Sequence, residues 1–156
     1  GLIIIGHTKQ AAKKLAQMFE QKALSKSYQI ITHADKALPD SFTNSNAIDE
    51  KPSISHFQLL KCDSTTDLSL YQVDIETGRK HQIRKHAAEK GIPVVGDRLH
   101  GLENDVLITQ LNLQLCAVRL QFNCPITGKS RDIKLPQRLR PNFDHVVAIK
   151  KRLIVN

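Results

Sequence analysis

Four cations crowd one short piece of the chain: Arg79, Lys80, Arg84 and Lys85, inside the run TGRKHQIRKH. Guanidinium and ammonium groups set this densely do one of two kinds of work. They hold phosphate, or they neutralise a carboxylate kept in a dry place. Residues 81–90 suit a short helix, because Ile83 and Ala87 stack at i, i+4 and Gly91 supplies a left-handed stop. The cations therefore gather at a helix N-terminus, where free N–H groups already favour anions and added positive charge opposes the dipole. That opposition points to a binding task. The competing reading of the same letters is a solvated basic turn.

The elements around this run must position it. Residues 70–75 alternate as a strand, with Tyr71, Val73 and Ile75 on one face, and Thr77-Gly78 ends it. Residues 53–60 also alternate and pair with 68–75 as a hairpin, which carries the basic turn at its far end. A strand over 25–31 puts Tyr28 and Ile30 on one face. Before it, Thr8 caps a helix over 9–24 that turns Ala12, Leu15, Phe19 and Ala23 towards the sheet. The opening apolar run, residues 2–5, reads as a strand buried on both faces. Residues 33–51 are polar and aperiodic, an exposed excursion. Two further strands, near 116–123 and 131–135, flank a turn at 125–128.

At 156 residues and 40% hydrophobic, the chain forms one core and a single domain, 1–156. The 23 Lys+Arg against 15 Asp+Glu give +8, which favours a polyanionic partner, nucleic acid first. The basic residues over 129–152 read either as an outer RNA-facing rim or as a solvated tail. Cys62, Cys116 and Cys124 show no ligand spacing, so they are expected to be small buried residues in a reducing compartment. His81 and His86 fall about 140° apart on a helix and do not share a ligand role. No metal, no membrane span and no cofactor motif is expected, and the cytoplasm is the expected location.

Three strings in order carry a family resemblance. TGRKHQIRKH followed by GIPVVGDRLHG resembles the third motif of the RluA-type pseudouridine synthases, TGRxHQIRxH then GxPIxGDxxYG. GLIIIGHTKQAAKKLAQMFEQKALSKSYQII resembles their strand–helix–strand segment with its Lys-x-Tyr, here Lys26 and Tyr28. LCAVRLQFNCPITGKSRDIKLP resembles their closing LHAxxLxFxHPxTG, with Cys116 and Cys124 in place of the two histidines and, in the third motif, His100 in place of tyrosine.

The resemblance implies the larger C-terminal part of an α/β (α+β) catalytic domain with a mixed, mostly antiparallel sheet and a few packed helices. It implies isomerisation of uridine to pseudouridine in ribosomal or transfer RNA without a cofactor. Tyr28 would stack on the target base, and Arg84 would pair with the catalytic aspartate. Ile83 would line the uridine pocket, Lys26 would contact substrate, and Arg79, Lys80 and Lys85 would hold flanking phosphates. The family's aspartate lies in HRLDxxTSG, whose last glycine corresponds to Gly1, so the aspartate is expected a few residues upstream. Arg84 in this chain is then expected to be the exposed half of a broken pair. Two rival readings remain open: a catalytically silent RNA-binding module, and a nucleotide-phosphate binder, against which the lack of a Walker or GxGxxG pattern counts.

Overall fold

The computed structural model describes residues 1–33 and 38–155. Six strands form one sheet: β1 (Leu24–His33), β2 (Ser41–Asn44), β3 (Ser55–Asp63), β4 (Leu68–Ile75), β5 (Leu115–Asn123) and β6 (Ser130–Lys134). Their order is β2-β3-β4-β1-β5-β6, with every pairing between them antiparallel. Among the described residues, three α-helices join the sheet, α1 (Lys9–Glu20), α2 (Gln82–Glu89) and α3 (Phe143–Val155), with a short 3-10 turn at Gln137–Leu139. This is the α/β architecture with a chiefly antiparallel sheet that the sequence implies.

Side-chain parity divides the sheet into two faces. In the β1–β4 register Ile30 faces Tyr71 and Tyr28 faces Val73, whereas Ile31 faces Leu70. The first set joins Phe57 and the α2 residues Ile83 and Ala87 in one core cluster. The second joins Phe143, Val146 and Val147 of α3 in another. Thus α2 and α3 cover opposite faces. Lys26 shares the parity of Tyr28, so both stand on the α2 side.

Several expectations change. Residues 2–5 form no strand, and Ile3 and Ile5 are 82% and 71% exposed. The segment runs beside β5, held by the Leu2 N–H donating to the Ala117 carbonyl at 3.0 Å, so only one side of it is covered. Helix α1 starts at the Thr8 cap as expected but ends at Glu20, and its buried residue is Met18. Ala12 and Phe19 stay exposed, so the inward face is rotated from the expected one.

The polar excursion is not wholly exposed. Part of it, residues 34–37, lies outside the described residues, but Phe42 of β2 stacks on Phe57 at 4.6 Å and Asn44 and Ile48 are buried. Four residues are too few to show a period, which is why β2 was illegible. The segment after residue 142 is a helix rather than a solvated tail: α3 buries Phe143, Val146 and Val147. None of the three cysteines is buried, and Cys62 is exposed.

The contrast between the exposed start and the aromatic core is measurable. Phe57→Ala should cost about 3–5 kcal/mol, a transfer loss plus a cavity. Ile3→Ser and Ile5→Ser should each change stability by under about 0.5 kcal/mol. Urea unfolding midpoints of the three variants decide it; a large loss from the serine variants would mean that residues 2–5 are buried after all.

Candidate functional site

The turn between β4 and α2 is fixed by one buried amide. The Gln82 side-chain carbonyl accepts from Thr77 Oγ1 at 2.7 Å and from the Arg79 N–H at 3.0 Å. Its amide nitrogen donates to the Ile54 carbonyl at 2.9 Å and to Ser55 Oγ at 3.0 Å. Thr77 Oγ1 also accepts from the Ile54 N–H at 3.1 Å. Strand β3 and the turn are therefore tied through the buried side chains of Ser55, Thr77 and Gln82, where loss of a partner leaves a buried polar atom unpaired. One turn further on, buried His86 faces Ser55 Oγ at 2.9 Å and the Asn46 carbonyl at 3.0 Å, which docks the 46–55 loop onto α2.

This scaffold brings five of the seven expected residues to one cavity of about 300 Å³: Lys26, Tyr28, Arg79, Ile83 and Arg84. Such a volume is at the small end of ligand pockets. Ile83 is buried, while Tyr28 and Arg84 are half-buried with part of each at the surface. Burial pushes the Tyr28 phenol above its usual pKa, so the ring is neutral and presents an aromatic face. Burial likewise lowers the Lys26 ammonium, which sits 4.5 Å from the centre of the Phe19 ring. Arg79 is steadied by donating Nε–H to the Pro52 carbonyl at 3.1 Å. Lys80 is exposed outside this lining, and Lys85 is drawn to Asp49 at 3.0 Å. Those two cations are not brought to the cavity.

Arg84 is not the exposed half of a broken pair. Its Nε and Nη2 donate to Asp97 Oδ2 at 2.7 Å and Oδ1 at 2.5 Å, a bidentate fork. The Asp97 side chain is fully buried and Arg84 is 14% exposed. Asp97 Oδ1 also accepts the Leu99 and His100 N–H groups, at 2.9 and 3.0 Å. Burial alone would raise this carboxyl, but the hydrogen bonds from Arg84, Leu99 and His100 and the guanidinium charge outweigh it and hold the pKa at about 2. Asp97 was not singled out from the sequence. Its signal is an acid just after a glycine, at the end of the apolar return IPVVGD.

A second residue missed is His81. It caps α2 from the left-handed region, φ 56°, and its Nδ1 lies 3.1 Å from Nε2 of His100. Desolvation, followed by the nearby positive charge of Arg84, lowers the pKa of this ring at the cavity wall and so favours its neutral form.

The Arg84–Asp97 pair sets a pH window. The carboxyl falls from an ordinary 3.8 to about 2 in the folded chain, so its contribution to stability is complete above about pH 4 and is lost as pH falls towards 2. Asp97→Asn should cost about 3 kcal/mol at neutral pH. It should also flatten the acid limb between pH 4 and 2 in urea midpoints measured against pH. Wild-type and variant curves that run parallel through that window would remove the pair from the account.

Residues 1–89 match the RNA pseudouridylate synthase family. Among curated relatives, a tRNA pseudouridine synthase C of Yersinia pestis is 29% identical over 160 residues, which cover 83% of this chain and 62% of the relative. An uncharacterised RNA pseudouridine synthase of Helicobacter pylori is 31% identical, covering 90% and 57%. The chain spans 42–62% of the length of the first curated relatives it matches. The solved human RNA pseudouridylate synthase domain containing 1 shares the fold, with a TM-score of 0.71 and 20% identity over 93% of this chain and 73% of that one. By the match over residues 1–89, which include β1, β4 and all of α2 with Lys26, Tyr28, Ile83 and Arg84, the chain belongs to the RNA pseudouridylate synthase family.

Proposed function

We propose that the protein isomerises uridine to pseudouridine in RNA and that the cavity between β1 and α2 receives the target base. The observation that carries this is the convergence of an aromatic face, an apolar wall and a held guanidinium on one cavity: Tyr28, Ile83 and Arg84. The reaction breaks the C1′–N1 bond, rotates the uracil and joins C1′ to C5; a proton leaves C5 and one is gained at N1, so no oxidant, reductant or cofactor enters. The uridine must leave its stack to react, and a neutral phenol ring is a suitable surface against which to hold it.

Arg84 has five N–H donors, of which Asp97 takes two. The other three remain for a second anion, the catalytic aspartate implied by the resemblance. A carboxylate beside a fixed guanidinium stays ionised in a dry pocket. Lys26 and Arg79, side by side in the cavity wall, would bind a phosphate next to the target nucleotide. Lys80 and Lys85, outside the lining, would act on RNA only through their charge. The RNA is ribosomal or transfer RNA, and the three free cysteines fit a cytoplasmic setting.

Two measurements test this reading. In a chain extended ahead of Gly1 through the expected HRLD segment, Arg84→Ala should lower the rate at saturating RNA by at least about 100-fold. Lys85→Ala should leave that rate within about twofold. If Arg84→Ala keeps the full saturated rate and loses only affinity, the guanidinium is a phosphate contact and the assignment fails. Separately, RNA affinity of the present chain should fall linearly in log–log plots against salt. A flat plot would remove the electrostatic basis for RNA binding.

A further inference from the structure

A second cavity, of about 310 Å³, abuts the first, and the two share Lys26, Ile75, Gly78 and Arg79 as a common wall. The outer one is closed by Phe19 and Leu24 on one side and carries Glu20, Lys22 and Glu76 at its edge. Three cations against two carboxylates leave it mildly positive. Its layout is uneven, however: two of the three cations, Lys26 and Arg79, stand in the shared wall.

Their placement is built rather than incidental. The Lys26 ammonium is drawn over the Phe19 ring and lies against Gly78, where an added Cβ would come within 3.6 Å of it. The Arg79 guanidinium is held by the Pro52 carbonyl. Two oriented cations in the wall between two cavities follow the order of a nucleic-acid strand, base–phosphate–base.

Resting on the uridine-site reading above, we propose that the outer cavity is a second nucleotide subsite, which takes the base next to the target uridine while Lys26 and Arg79 hold the phosphate between them. Phe19 and Leu24 supply the apolar surface for that base. Glu20 and Glu76 disfavour phosphate in the outer cavity and accept from base N–H groups, as carboxylates do from the amino group of cytosine. The subsite therefore prefers a base that carries an exocyclic amine over uracil.

The test is an amide NMR titration of the 156-residue chain with uridine 5′-monophosphate and with the dinucleotides CpU, UpC and UpU. The monophosphate should move Tyr28, Ile83 and Arg84 and leave residues 19–24 in place. CpU or UpC should move both sets and bind at least about fivefold more tightly than the monophosphate, with UpU between. Phe19→Leu and Lys22→Gln, both at exposed positions, should each erase most of that gain; Lys22→Gln, outside the inner cavity, should do so without altering the response to the monophosphate, whereas Phe19→Leu also frees the Lys26 ammonium. Lys13→Gln, on the same helix but outside the cavity, should leave the gain intact.

A dinucleotide that binds no better than the monophosphate, or a gain that survives Phe19→Leu and Lys22→Gln, overturns the subsite while leaving the uridine site standing. A gain lost equally in Lys13→Gln shows general charge attraction and also overturns it. If no probe moves Tyr28, Ile83 or Arg84, the uridine-site reading itself falls, and the subsite with it.

Discussion

The Arg84–Asp97 fork is the interaction on which the candidate site depends, because it joins the helix that lines the cavity to the return loop behind it. Two glycines make that loop possible. Gly96 lies at φ +74° with no room for a Cβ against the Asn112 carbonyl, and at Gly101 a Cβ would sit 2.1 Å from the Asp97 carbonyl. The backbone can thus fold tightly around the carboxylate, so that two N–H groups and one guanidinium converge on it. A charge buried in this way is tolerable only when its hydrogen bonds are complete. Removing Arg84 from the structure therefore disturbs Asp97 as well as any anion at the cavity.

The parts legible in the sequence are those set by neighbours in the chain. The β3–β4 hairpin, the strand holding Tyr28 and the helix holding Ile83 follow from period-2 and period-3.6 spacing, and Gly91 ends the helix at φ 73° as expected. The illegible parts are set by partners far along the chain. Asp97 lies 13 residues from Arg84, and nothing local says that they meet. The apolar letters of residues 2–5 look like a core strand, yet hydrophobicity alone does not say whether a second layer covers them. A four-residue β2 offers no period at all.

Net charge was the least local of the clues, and the fold explains its limits. Lys150, Lys151 and Arg152 belong to α3, whose apolar side packs on the sheet face opposite Tyr28. Lys151 meets Asp63 at 3.2 Å and Lys61 meets Asp144 at 3.6 Å, so part of this positive charge is balanced locally. The basic residues of α3 thus form no rim of the site. A composition of +8 identifies a class of partner, but parity in the sheet decides which of those charges can reach it.

That division bears on how the site would bind an anion in the first place. A guanidinium free in water must be oriented and desolvated as the anion arrives, and both cost free energy at that moment. Here Asp97 has already oriented it, and the clamp made by Thr77, Gln82 and Ser55 fixes the helix start from the other side. The remaining N–H donors of Arg84 are then presented in a fixed plane beside the neutral ring of Tyr28 and the side chain of Ile83. Preorganisation of this kind needs no further rearrangement when an anion arrives, so a buried acid outside the cavity lining can still set how the arginine it holds meets that anion.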